Sequence, residues 1–140
     1  MITNRQYLAH YLFDFFCLDI RATITIDTPR NKTIGYFMTQ WICFERFLYI
    51  LATLRGIEPK NLILSSPRVL SKLGLFDDNL TGEIDHIRRI RNYLVHGVEI
   101  PDFEYITSAG QFVERIMKSL LENPEEEVRR SAKEALESFK

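Results

Sequence analysis

With two cysteines in 140 residues, the chain offers no disulfide framework. Cys17 and Cys43 each sit inside an apolar run and are expected to be reduced core residues. No residues have metal-ligand spacing of the C-x-x-C or H-E-x-x-H kind, so neither a metal nor a cofactor is expected. An excess of one charge is missing too: 18 basic and 19 acidic side chains leave a formal net charge of −1. That excludes wholesale electrostatic attraction to nucleic acid or membrane, and any polyanion must be held by a local patch. Long apolar runs are absent. The longest of note, Phe47 to Ala52, is too short to span a bilayer. Asp14 and Asp19 interrupt the stretch where the apolar part of a signal peptide would lie. A soluble, cytoplasmic protein with no membrane partner is expected. There are no internal repeats and no low-complexity linker.

The composition is that of a globular chain: 46% apolar, 26% charged, with ten Phe, six Tyr and one Trp. One domain of this length buries about 70% of its extended surface and needs no covalent or metal staple. Residues 1–140 therefore read as a single helical domain. Its apolar pattern has a period near 3.6 almost throughout. Tyr7, Leu8, Tyr11, Leu12, Phe15, Phe16 and Leu18 predict a first helix over about 4–20, and His10 on it reads as structural. Ala22 to Ile26 alternates like a strand but has no obvious partner, and Asp27 to Lys32 reads as a loop. A second helix, from about Thr33 to Arg55, is apolar on most sides and should be central, with Trp41 and its aromatic neighbours in the core. Gly56 is placed to end it. Ser66 and Pro67 start a short helix as cap and first residue, and Gly74 ends it. Thr81 or Asn79 can cap the next helix, Glu83 to His96, closed by Gly97. Asp102 caps another, Phe103 to about Leu121. Asn123-Pro-Glu-Glu-Glu opens a last, peripheral helix over 122–140. Its narrow stripe of Val128, Ala132, Ala135, Leu136 and Phe139 suits a place on the outside of the fold or a partner. The fold class is all-α: an up-and-down helical bundle of four main helices with short additional ones.

The helix Glu83 to His96 carries the chemical information. Ile84, Ile87, Ile90, Leu94 and Val95 share one broad face that must be core. Asp85, Arg89, Asn92 and His96 follow at i, i+4, i+7 and i+11 and share an arc of about 60°. Arg88 borders that stripe. Arg91 falls inside the apolar arc, where arginine is almost never buried alone. It must pair with an acid, snorkel to an edge, or be held at a crevice for a ligand. His86 is expected to be exposed.

Arg91-Asn92-Tyr93-Leu94-Val95-His96-Gly97 resembles the signature of HEPN domains (higher eukaryotes and prokaryotes nucleotide-binding): arginine, a polar residue, three more residues, then histidine. The resemblance in detail covers about residues 80 to 121. It implies a HEPN-like bundle that dimerises through its motif helices, and a toxin or defence endoribonuclease that works without metal. It also implies a candidate inhibitor or antitoxin protein as partner. Other members of the family bind RNA, a nucleotide or a protein without catalysis. One toxin subgroup carries tyrosine two residues after the histidine, where its antitoxin attaches AMP groups. This chain has Val98 there, so silencing by that route is not expected.

The chemistry can be weighed without the family. RNA cleavage without metal needs a base for the 2′-OH proton, an acid for the leaving 5′-oxygen and positive charge on the phosphate. His96 suits proton transfer because imidazole titrates near neutrality. Arg91 offers a planar fork for phosphate oxygens. Asn92, one turn before His96, can orient the imidazole or hold a ribose hydroxyl. Arg88 and Arg89 are candidate substrate-binding residues. One chain supplies one such histidine, so a homodimer with a composite cleft at its dyad would supply base and acid together. Bland readings stand beside these. One has His96 as a complement to the helix dipole only; the other has Arg88, Arg89 and Arg91 as a solvated or salt-bridged face, with Asp85 and Arg89 an i, i+4 pair.

Overall fold

The computed structural model describes residues 29–60, 62–97 and 100–138. These form an all-α helical bundle. Its helices are α1 (Pro29–Leu54), α2 (Pro67–Leu73), α3 (Asp78–His96), α4 (Phe103–Leu120) and α5 (Glu126–Glu137). The helix expected over 4–20 and the alternating segment Ala22 to Ile26 lie outside the described residues. So do His10, Cys17, Val98 and Phe139. No described helix is long and apolar enough to cross a membrane.

α1 is the central element, with α4 and α5 packed against it. Every residue from 41 to 48 is buried, as happens where neighbours close around a helix on all sides. Phe37, Trp41, Phe44 and Phe47 form a ladder of rings along it, with centroids 6.5, 5.7 and 6.4 Å apart. Phe76, just ahead of α3, adds a 6.1 Å ring contact to Phe44. Each such burial is worth roughly 1.5–3 kcal/mol. Trp41 and Cys43 are core residues, as the apolar pattern predicts. The same enclosure buries Glu45 and Arg46, and the Arg46 guanidinium lies 5.6 Å from the Tyr49 ring centroid.

Helix boundaries depart from the sequence reading in three places. Where a loop is predicted to run to Lys32, α1 already begins at Pro29. Proline has no N–H to lose and its φ is preset, so it initiates the helix rather than delaying it. α3 begins at Asp78 rather than Glu83, because Asp77 Oδ1 accepts the Leu80 N–H at 2.7 Å. The cap is therefore Asp77, not Thr81 or Asn79, and Gly82 lies within the helix. At the third, Asn123 and Pro124 form a turn and not a helix start. Asn123 Oδ1 accepts the Glu125 N–H at 2.9 Å, a side-chain turn that asparagine makes readily. Asp102 stands at the N-cap of α4 but makes no side-chain cap bond.

Other ends follow the pattern. At the close of α1 the Ile57 N–H reaches Ala52 O at 2.9 Å and the Gly56 N–H reaches Thr53 O at 3.1 Å. This closure needs a left-handed residue, here Gly56 at φ +74°. Ser66 caps α2 through Oγ, which accepts the Val69 N–H at 3.4 Å, and α2 packs on α3. The stripe of α5 is buried against α1 rather than offered to a partner: Val128, Ala132 and Ala135 are 0% exposed. Arg55 ties the corner together. It donates to Glu125 at 2.8 Å, to Glu127 at 2.9 Å and to the Leu73 carbonyl at 2.6 Å.

Candidate functional site

The packing of α3 fixes the site. Ile84, Ile87, Ile90, Leu94 and Val95 are all buried, which sets the rotation of the helix about its axis. The polar stripe is thereby turned outward. Arg91, which the wheel places inside the apolar arc, is partly exposed while its Nε is buried. Its Nη1 donates to Asn92 Oδ1 at 3.1 Å, so the two side chains form one unit.

His96 is the last residue of α3 and is exposed. Gly97, at φ +64°, ends the helix with its N–H on Tyr93 O at 3.0 Å. A residue with a Cβ is strained there by about 1–2 kcal/mol. Among the described residues His96 makes no hydrogen bond to Asn92 or Arg91, and the Asn92 oxygen accepts from the arginine instead. Arg91, Asn92 and His96 thus share one helix end, with the arginine and asparagine in contact.

Arg88 and Arg89 are organised by Asp85. Its Oδ1 accepts Arg88 Nε at 3.0 Å and Nη2 at 2.8 Å, while Oδ2 lies 3.2 Å from Arg89 Nη2. The Asp85–Arg89 pair is the i, i+4 pair that the spacing predicts. Arg88 joins the same carboxylate through i, i+3 spacing. One carboxylate between two guanidinium groups leaves a local positive charge. Such pairs contribute only about 0.3–0.5 kcal/mol each at a surface. Their effect is to hold two flexible arginines upright on one face.

Sequence reasoning passed over three exposed aromatic residues on α3 and α4. Tyr93, Phe103 and Tyr105 are large, apolar and exposed. Their signal was available: Tyr93 lies well off the apolar arc of α3. His86 is exposed, as expected, yet meets the Tyr105 ring edge to face at 5.6 Å. Among the described residues no group of three or more His, Cys, Asp or Glu side chains is placed to hold a metal ion. In comparisons with known proteins, no family model, no curated protein and no solved structure matches the chain.

Proposed function

We propose that the chain is a HEPN-like, homodimeric endoribonuclease of the toxin or defence type that cleaves RNA without metal. The observation that carries this reading is the end of α3. Arg91 and Asn92 are joined at 3.1 Å, an exposed His96 closes the helix, and Arg88 and Arg89 stand on the flanking surface. Arg91 binds the scissile phosphate, and Asn92 positions the guanidinium. A dyad that brings two copies of this helix end together supplies two imidazoles to one cleft. One His96 takes the 2′-OH proton as the 2′-oxygen attacks phosphorus. The second gives a proton to the departing 5′-oxygen as the P–O5′ bond breaks. The products are a 2′,3′-cyclic phosphate and a 5′-hydroxyl end.

The second reading is a non-catalytic HEPN-like module that binds RNA, a nucleotide or a protein. It is favoured by one observation: the Asn92 oxygen, one turn before His96, accepts from Arg91 and not from the imidazole. Incubation of the purified protein with structured and unstructured RNA in excess EDTA separates the two. Cleavage to cyclic phosphate ends, lost in folded and dimeric His96→Ala and Arg91→Ala proteins, is expected of the enzyme. Binding of RNA with no cleavage would select the module. Cleavage that survives either substitution would remove the assigned roles.

A further inference from the structure

Beside the catalytic stripe lies a surface that the proposed reaction does not use. Tyr93, Phe103 and Tyr105 are 45%, 48% and 45% exposed, though aromatic side chains carry the largest gain from burial. Two of them belong to one strip. The Tyr105 ring, in the first turn of α4, meets His86 of α3 at 5.6 Å between centroids. Phe103, two residues earlier in that turn, faces about 200° away from Tyr105 and is not part of the strip. On α3, His86, Arg89 and Tyr93 follow at i, i+3 and i+7, within roughly 60° of one another and over about 10 Å of axis. Arg89 is 64% exposed and is held by Asp85 at 3.2 Å. The strip ends at Tyr93, one helical turn from His96.

Exposed rings interleaved with a guanidinium suit a ligand that is both flat and anionic. Unpaired bases stack on the rings, whatever their sequence, and the arginine meets the phosphates between them. An RNA duplex offers the phosphates but keeps its base faces stacked on each other. A purely apolar protein partner has no use for Arg89 in the middle of the strip. We propose that His86, Arg89, Tyr93 and Tyr105 form a stacking platform for single-stranded RNA that leads the strand toward His96. The inference rests on the RNA reading above and adds the substrate class: unpaired RNA, held with little preference for base.

Fluorescence anisotropy tests it, with a short labelled oligoribonucleotide offered single-stranded and as a duplex to the full chain carrying His96→Ala, which prevents turnover. The single strand is expected to bind more tightly than the duplex. Tyr93→Ala and Tyr105→Ala should each weaken single-strand binding by about tenfold and leave duplex binding unchanged, while Tyr93→Phe should bind as the parent does. Both substituted rings are half-exposed, so circular dichroism and sedimentation are expected to show folded dimers. Single-strand binding that is indifferent to these substitutions would overturn the platform and leave the proposed function standing. No RNA binding by the unsubstituted protein would overturn both. Dissociation of the dimer by Tyr93→Ala, with affinity per folded dimer unchanged, would assign the strip to a second copy of the chain and overturn the platform.

Discussion

At the scale of single residues, Gly110 is packed tightly against Tyr36. A Cβ there would lie 2.6 Å from Tyr36 Cε2 and 2.9 Å from Cδ2. The ring cannot swing aside freely, because its hydroxyl donates to Glu114 Oε2 at 2.9 Å. Gly110→Ala should therefore destabilise the protein by about 1–3 kcal/mol, read as a lower urea midpoint at an unchanged slope. Alkaline pH acts on two other groups. Burial, then the bond to Glu114, pushes the Tyr36 phenol up from 10.0 to about 12. Burial pushes the Cys43 thiol up from 9.0 to about 11. Both raised values mean that the fold favours the neutral form. Cys43 therefore contributes stability that is complete below pH 9.0 and lost as pH rises to about 11, and Tyr36 behaves likewise between 10.0 and about 12. The melting temperature should fall across this range, and Cys43→Ala should remove the earlier part of the fall.

At the scale of the element, α3 shows how far local signals reach. Its end was legible because Gly97 follows the last periodic residue, and its buried face was legible from the spacing of Ile84, Ile87, Ile90 and Leu94. Its start was not. Asp77, Asn79 and Thr81 are all capping types, and a glycine at 82 looks like a boundary. Which of them caps is decided by where α2 and Phe76 deliver the chain, with Phe76 seated on Phe44. Two substitutions exploit this. Asp77→Ala removes the bond to the Leu80 N–H and should cost about 1 kcal/mol. Gly82→Ala places a Cβ in open space within the helix and should add about 0.5–1 kcal/mol. Thermal melts of the two variants should move in opposite directions.

At the scale of the whole molecule, α5 is held to α1 by a small-residue seam and a charged corner. Ala132 is 0% exposed, so Ala132→Glu forces a carboxylate into a dry helix contact and should cost roughly 3 kcal/mol or more. Arg55→Ala should cost less, about 1 kcal/mol. Its pairs with Glu125 and Glu127 are partly exposed and screened by water, and the bond to the Leu73 carbonyl is the part that matters. Guanidinium-induced unfolding of the two variants gives the ranking directly. The sequence alone placed this helix at the periphery because its apolar stripe is narrow. A stripe of alanines is nevertheless enough where the partner is itself apolar on every side, as α1 is over residues 41–48.

The sequence by itself determined the all-helical class, the central aromatic helix, the glycine at the end of α3 and the meeting of Arg91, Asn92 and His96 at one helix end. These follow from a 3.6-residue period and from backbone preferences, which act between near neighbours. Only the tertiary structure decided that Tyr105 reaches His86, that Phe76 seats on Phe44 and that α5 is buried against α1. A helical wheel assigns a side chain to a face. Which partner it meets there depends on rotamer, on helix rotation and on what the neighbouring helix brings alongside, and these are settled by packing over the whole core.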